Sequence, residues 1–224
     1  ATINASRAIK DGAGDIYITG GVENMTRGPW VISKVSKAFG RDAKMYDTSF
    51  GWRFINPKME ELYGTDGMGV TAENLVEKYG IEREAQDQFS LWSQQKATQA
   101  TVSGRLAEEI VPVIIKQRKN DDIVFGQDEF VRSNSTIEGL SGLRPAFKKE
   151  GSVTAGNSSG LNDGAAALLV ASGDAAANHG MKPLARIVGA AVAGVEPRIM
   201  GIGPVYATQK VLKRTGLTLD QMDI

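Results

Sequence analysis

Residues 152–171 read SVTAGNSSGLNDGAAALLVA and fall into two unlike halves. The first half, which ends at Gly164, is small, polar and rich in glycine, so its main chain is uncovered and can approach a ligand closely. Residues 165–171 are all apolar, and such a run predicts a strand that is buried on both faces. The simpler interpretation, a turn that precedes a core strand, uses the same residue types.

The composition narrows the classes of function. The chain has 224 residues with 26 acidic and 26 basic side chains, and this balance favours neither nucleic acid nor an anionic membrane as a partner. No apolar run has the roughly 20 residues that a membrane span needs, and we expect a cytoplasmic protein. Cysteine is absent, so these residues offer no cysteine nucleophile and no cysteine-based metal site. His179, the only histidine, is interpreted as a residue that ends a helix.

Alternating helix and strand patterns along the rest of the chain favour a layered α/β architecture. Gly20-Gly21 predicts a sharp turn after a short strand over 15–19, and residues 29–67 predict an ordered insertion with aromatic anchors. In the helix predicted over 82–103, Phe89 and Trp92 lie on an apolar face. Further helices are predicted over 1–10, 71–79, 172–180 and from Pro204 to Gly216, and further strands over 109–116, 123–125 and 183–193.

Six blocks of the sequence, in order, resemble those of the thiolases. They are 20–25 (GGVENM), 67–74 (GMGVTAEN), 108–112 (EEIVP), 143–147 (LRPAF), 154–164 (TAGNSSGLNDG) and 201–204 (GIGP). Within that family, residues 45–57 (MYDTSFGWRFINP) are most similar to the β-ketoadipyl-CoA thiolases of aromatic catabolism. Gly67 stands where many biosynthetic thiolases have histidine, which argues against their acetoacetyl preference.

The resemblance implies a fold class, α/β with the thiolase-like layered αβαβα arrangement. It places residues 1–28 and 161–182 in a first, partial half of that fold, and residues 29–160 in an inserted loop domain that binds coenzyme A. Residues 183–224 would only begin the second half. A helix pattern that starts at residue 1 and a strand-like start at Asp223 agree with a chain that is part of a longer protein.

The resemblance also implies a reaction. Thiolases use a cysteine thiolate to cleave a 3-oxoacyl-CoA and pass the bound acyl group to a second CoA, and the step needs a general base. The cysteine and histidine motifs of the family would lie outside these residues, so we assign no catalytic residue and expect residues 1–224 alone to be inactive. CoA is expected as a substrate, with no permanently bound cofactor or metal, and a homodimer or homotetramer is implied.

Nine residues would surround CoA and its acyl group by this resemblance. They are Arg132 near the nucleotide, Leu140 near the adenine, Ala146 and Phe147 beside the pantetheine, Ala155, Gly156, Ser158 and Ser159 along its amide groups, and Met68 in the acyl pocket. A guanidinium suits a phosphate or a purine face. Two alternatives stay open, a surface ion pair for Arg132 and a place in the loop-domain core for Phe147. Arg53 is a candidate partner for a terminal carboxylate of the acyl chain.

Two other functions fit the same residues. The chain could serve as a non-catalytic CoA-binding or assembly module, or belong to an acetoacetyl-CoA thiolase. A sterol-carrier-type or synthase relative would share the fold, but the inserted loop domain argues against it because decarboxylating synthases lack such an insertion. Half of a two-fold domain would leave apolar faces exposed, which favours the thiolase fragment over a natural module.

Overall fold

The computed structural model describes residues 1–224, which group into two compact units, Ala1–Met68 with Leu161–Ile224, and Gly69–Gly160. The predicted assignment of 29–160 to one inserted domain stays a prediction. The helices are α1 (Thr2–Lys10), α2 (Pro57–Tyr63), α3 (Met68–Tyr79), α4 (Arg83–Val102), α5 (Ile137–Ser141), α6 (Gly173–Asn178) and α7 (Gly203–Thr215). The strands are β1 (Ile16–Glu23), β2 (Trp30–Ile32), β3 (Met45–Asp47), β4 (Val113–Ile115), β5 (Ile123–Phe125) and β6 (Gly164–Ala171).

Strands β1 and β6 form an antiparallel pair along their whole length, from Ile16 opposite Ala171 to Glu23 opposite Gly164. The predicted turn at Gly20-Gly21 is therefore wrong, because both glycines lie inside β1. Gly20 is needed for a different reason, since a Cβ there would collide with the carbonyl oxygen of Ala166 on β6. The strand predicted over 15–19 exists but continues to Glu23.

The predicted burial of residues 165–171 on both faces is wrong for this chain. The strand itself is present as β6, but its first six residues are exposed and β1 is its sole partner. The loop before β6 is tied to the end of β1 by Asp163, whose Oδ1 accepts a hydrogen bond from the Thr26 N–H (2.8 Å). That bond holds the pKa of the Asp163 carboxyl below its ordinary value.

The insertion over 29–67 is ordered, as predicted, and contains the hairpin β2–β3 and helix α2. Its aromatic side chains are less buried than the prediction of apolar anchors requires, because Trp30, Phe50, Trp52 and Phe54 are all exposed. The Tyr46 and Phe54 rings meet edge to face with centroids 5.2 Å apart. Edge-to-face packing of this kind stabilises a hairpin beyond the area it buries.

The strand predicted over 183–193 is absent, because no strand lies beside this extended segment. Two side chains of α7 bind its carbonyl groups instead. Lys210 Nζ donates to the Val192 oxygen (3.1 Å), and Arg214 Nη1 donates to the Ala190 oxygen (3.2 Å). Helix α7 ends at Gly216 in the left-handed conformation, and α6 ends at His179, both as predicted. The structure contains no helix with the length and apolar character that crossing a membrane requires.

In the unit Gly69–Gly160, α3 and α4 lie close to their predicted bounds, but α4 has the opposite orientation to the one its apolar face suggests. Its buried residues are Asp87 and Leu91, whereas Phe89 and Trp92 are 66% and 51% exposed. Lys96 Nζ lies 3.9 Å from the centroid of the Trp92 ring. In the hairpin β4–β5, Lys116 Nζ pairs with Asp122 Oδ2 at 2.5 Å across the turn.

The close approach of β1 and β6 gives a paired test. We expect Gly20→Ala to lower the free energy of unfolding by about 1–3 kcal/mol, the usual cost of overpacking, because the new methyl group meets the main chain of β6. Gly21→Ala is the matched control, since a Cβ on Gly21 meets nothing within 4 Å. Urea unfolding of the three proteins measures the difference, and equal losses for both variants would contradict the explanation.

Candidate functional site

The loop that follows Ser152 is fixed by hydrogen bonds among its own polar groups. The Asn157 Oδ1 accepts from the Thr154 N–H (2.7 Å), and the Thr154 Oγ1 accepts from the N–H groups of Gly156 (3.1 Å) and Asn157 (3.3 Å). Ser158 Oγ donates to the Thr154 carbonyl at 2.7 Å. Thr154 is fully buried, so these bonds replace the water that its polar groups have lost. The loop is therefore rigid while Ala155, next to Thr154, stays exposed.

Glu73 on α3 holds the start of this loop. Its carboxylate accepts hydrogen bonds from the N–H groups of Ser152 (2.9 and 3.1 Å) and Val153 (2.8 Å). Glu73 is only 3% exposed, and a buried carboxylate is tolerated only where donors surround it. Gly151 is required next to it, because a Cβ at that position would overlap Glu73 Oε1.

Asp87 on α4 holds the middle of the loop and is 1% exposed. Its Oδ1 accepts from the side-chain amide of Asn157 at 3.0 Å, and its Oδ2 pairs with Arg83 Nε at 2.7 Å. The same Asn157 amide donates to the Ser152 carbonyl (3.0 Å), which closes the loop on itself. A charge-assisted pair with a further amide donor satisfies the buried carboxylate.

Arg83 extends the network to a second segment. Its Nη2 donates to the carbonyl oxygens of Leu140 (2.7 Å) and Leu143 (3.1 Å), at the end of α5 and just beyond it. The segment after α5 also meets the loop directly, since the Ala146 N–H donates to the Val153 carbonyl at 2.9 Å. One guanidinium therefore joins α4 to the segment that carries Leu140 and Ala146.

Apart from Leu91, the inward face of α4 is lined mainly by polar side chains. Gln86 Nε2 donates to Ser152 Oγ (2.9 Å), and Gln94 Oε1 accepts from the backbone N–H of Arg132 (2.8 Å). Asp87 and Gln94 are seven residues apart, which corresponds to about 10 Å along a helix. This face holds the loop at one end and Arg132 at the other.

The predicted site residues differ in how far they are exposed. Leu140 is buried, and its Cδ2, with Leu143 Cδ1, would contact a Cβ built on Gly156. The ring of Phe147 covers Gly69 but remains partly exposed, so the interpretation of Phe147 as a core residue holds only in part. Side chains that are exposed and accessible to a ligand are those of Arg132, Ala146, Ala155, Ser158, Ser159 and Met68, the last at the first turn of α3.

Arg132 lies at the edge of an open cleft of about 340 Å³, which the second half of α4 lines together with Ser133 and Ser135. No carboxylate lies within ion-pair distance of Arg132, so the alternative of a surface ion pair is wrong. Thr98 Oγ1, also in the cleft, is buried without a hydrogen-bond partner. The structure has no group of three or more His, Cys, Asp or Glu side chains that could hold a metal ion together.

Two family models match the chain. The model described as "Thiolase, N-terminal domain" matches residues 1–174, and the one described as "Thiolase, C-terminal domain" matches residues 181–224. The chain belongs to the thiolase family. This confirms the resemblance of the six sequence blocks.

Similar thiolases are substantially longer than this chain. It is 53% identical over 220 residues to a β-ketoadipyl-CoA thiolase of Acinetobacter baylyi, and 54% identical to a 3-oxoadipyl-CoA/3-oxo-5,6-dehydrosuberyl-CoA thiolase of Escherichia coli. Each match covers 98% of this chain and 55% of the relative, so the chain spans about half the length of the curated relatives it matches.

Solved thiolase-fold structures confirm the predicted fold class. The acetyl-CoA acetyltransferase of Bacillus anthracis superimposes with a TM-score of 0.85 at 41% identity, covering 100% of this chain and 55% of that one. The acetyl-CoA acetyltransferase of Syntrophomonas wolfei gives a TM-score of 0.88 at 39% identity, with coverage of 99% and 54%.

Sequence reasoning missed the three charged residues that organise this candidate site, Glu73, Arg83 and Asp87. Glu73 lies inside one of the quoted sequence blocks, but an acidic residue on a helix is usually exposed and gave no reason to expect burial. A signal did exist in α4, where Arg83, Asp87 and Gln94 recur at helical spacing and form a polar stripe. Its burial could not be inferred without the partners that satisfy it.

We expect Glu73→Gln to destabilise the unit Gly69–Gly160 by about 2 kcal/mol, because the glutamine oxygen can accept from the Ser152 and Val153 N–H groups but the new NH₂ stands where Glu73 Oε2 accepts from the N–H and hydroxyl of Ser152. Glu77→Gln, on the same helix but exposed, should change stability by less than about 0.5 kcal/mol. Thermal unfolding of both variants provides the comparison. An equal effect of the two substitutions would show that Glu73 does not hold the loop.

Proposed function

We propose that this chain is the coenzyme A-binding part of a thiolase that cleaves 3-oxoadipyl-CoA. The observation that carries the proposal is the loop over 152–159, which buried carboxylates hold rigid while Ala155, Ser158 and Ser159 remain exposed. A preorganised loop with uncovered backbone can bind amide groups at low entropic cost. The pantetheine arm of CoA has two such amides.

The proposed reaction is a thiolysis. A cysteine thiolate outside residues 1–224 attacks the 3-oxo carbon, the bond between carbons 2 and 3 breaks, and acetyl-CoA leaves after its carbanion takes up a proton. The thiol of a second CoA then attacks the acyl-enzyme thioester, which releases the shortened acyl-CoA and regenerates the thiolate. Residues 1–224 contain no cysteine, so their contribution is to bind and orient CoA.

Arg132 is the proposed partner of the nucleotide end. Its guanidinium is exposed, has no carboxylate partner, and sits where Gln94 fixes its backbone. A phosphate would accept hydrogen bonds from it with favourable charge and geometry. Leu140, Ala146, Phe147, Gly156 and Met68 complete the set of proposed contacts to CoA and its acyl group.

The choice of acyl chain rests on the relatives and on Arg53. Seven relatives described as β-ketoadipyl-CoA or 3-oxoadipyl-CoA thiolases are 48–54% identical to this chain, and an acetyl-CoA acetyltransferase of Chromobacterium violaceum is 48% identical. Arg53 is exposed, and its guanidinium donates a hydrogen bond to the Gly51 carbonyl (2.8 Å) but pairs with no carboxylate, so its charge is available for a terminal carboxylate. The proposal includes a homodimer or homotetramer in the cytoplasm, as the family resemblance implies.

The first test is the intact mass of the denatured protein from its native source, followed by a thiolysis assay. A mass near 43 kDa is expected, because 23.9 kDa covers about 55% of the relatives. That protein should cleave 3-oxoadipyl-CoA faster than acetoacetyl-CoA. A mass of 23.9 kDa would exclude acyl transfer by a cysteine of this molecule and leave a non-catalytic CoA-binding module. Faster cleavage of acetoacetyl-CoA would overturn the proposed substrate.

Binding to Arg132 can be measured independently of catalysis. We expect Arg132→Ala to weaken CoA binding about three- to tenfold by calorimetry, the range for an exposed charged contact. Arg118→Ala removes an equally exposed guanidinium from the β4–β5 hairpin and serves as the control. Equal affinities of the two variants would contradict the role of Arg132, and no CoA binding by the unaltered protein would overturn the proposed function.

A further inference from the structure

The ion pair between the half-buried Arg83 and the buried Asp87 lies between the two segments that we propose to line CoA. On one side, Asp87 Oδ1 accepts from Asn157 of the loop over 152–159 (3.0 Å). On the other, Arg83 Nη2 donates to the carbonyl oxygens of Leu140 (2.7 Å) and Leu143 (3.1 Å). Neither Arg83 nor Asp87 is among the proposed CoA contacts, so their contribution would be indirect.

The hydrogen bonds of Arg83 and Asp87 have fixed directions relative to one another. The guanidinium uses Nε for the carboxylate and Nη2 for the two carbonyls, and its planar fork fixes the angle between these bonds. Asp87 uses one oxygen for each partner, so both of its oxygens are engaged. A shift of the loop would break the Asn157 bond, and a shift of the segment after α5 would break the carbonyl bonds.

Other contacts also hold each segment, and Gly156 of the loop packs directly against the side chains of Leu140 and Leu143. Glu73 and Gln86 bind only the start of the loop, at Ser152 and Val153. The Ala146–Val153 backbone bond joins the two segments at their other end. Only the Arg83–Asp87 pair joins Asn157, in the middle of the loop, to the turn that follows Leu140.

We propose that Arg83 and Asp87 are positioning residues, which set the spacing between the loop over 152–159 and the segment 140–147 so that one CoA molecule can contact both. This inference rests on the proposed function, since it assumes that those two segments line CoA. The proposal predicts that the length of a ligand decides whether its affinity depends on Arg83 and Asp87. A ligand that spans both segments depends on the spacing, whereas the nucleotide half of CoA, which would reach Leu140 but not the loop over 152–159, does not.

The test compares CoA with adenosine 3′,5′-bisphosphate, the nucleotide half of CoA, by calorimetry below the unfolding temperature of every variant. Asp87→Asn keeps the shape of the side chain but removes the charge that pairs with Arg83. We expect it to weaken CoA binding about tenfold and to change binding of the bisphosphate less than about twofold. Arg83→Lys, a milder change that removes the fork, should act in the same direction and covers the case in which Asp87→Asn does not fold.

The chain supplies matched controls. Arg105 and Glu109 form an exposed ion pair (2.6 Å) with the same four-residue spacing as Arg83 and Asp87. Glu109→Gln and Arg105→Lys should leave the affinities for both ligands unchanged, because an exposed pair of this kind contributes little.

The outcomes separate the two proposals. CoA binding that Asp87→Asn and Arg83→Lys leave unchanged would overturn the positioning role and leave the proposed function intact. An equal loss of affinity for CoA and the bisphosphate would show a merely structural role and would overturn it as well. If the unaltered protein bound no CoA, the proposed function would fail first and the positioning role with it.

Discussion

The ion pair between Arg83 and Asp87 is the contact on which the order of residues 69–160 depends. A carboxylate that is 1% exposed is stable only if nearby donors replace its hydration, and here one donor is a helix neighbour and the other, Asn157, comes from seventy residues away. The buried charge is therefore tolerated only when the loop adopts the conformation that brings the Asn157 amide to Asp87. A purely apolar contact at this point would tolerate sliding, whereas hydrogen bonds of fixed direction do not.

This requirement explains why α4 turns its polar side inward. Arg83, Asp87 and Gln94 each bind a backbone or side-chain group of a distant segment, and a helix can satisfy all three only by presenting that stripe to the interior. Phe89 and Trp92 are then left on the opposite side, where the cation of Lys96 covers one ring face. Hydrophobicity alone would have oriented the helix the other way, and the polar contacts outweigh it.

Much of the fold was predictable because local chemistry marks it. Gly80, Gly104 and Gly216 each adopt positive φ after a helix, and the turn between β4 and β5 is short and charged. The errors concern features that depend on distant partners, namely Gly20 inside β1, the exposure of β6 and the missing strand over 183–193. The exposed residues of the candidate site were predicted from the sequence, but the buried Glu73 and Asp87 that hold the loop were not. Burial of a charge is decided by its partners, and a single sequence does not reveal them.

Strand β6 also affects how the purified polypeptide should be handled. Its edge away from β1 carries backbone N–H and C=O groups that no other strand of residues 1–224 binds, and Leu168 and Leu169 are exposed on its two opposite faces. An apolar strand with a free edge is a template for adding further strands. Residues 1–224 produced on their own are therefore expected to self-associate increasingly as their concentration rises.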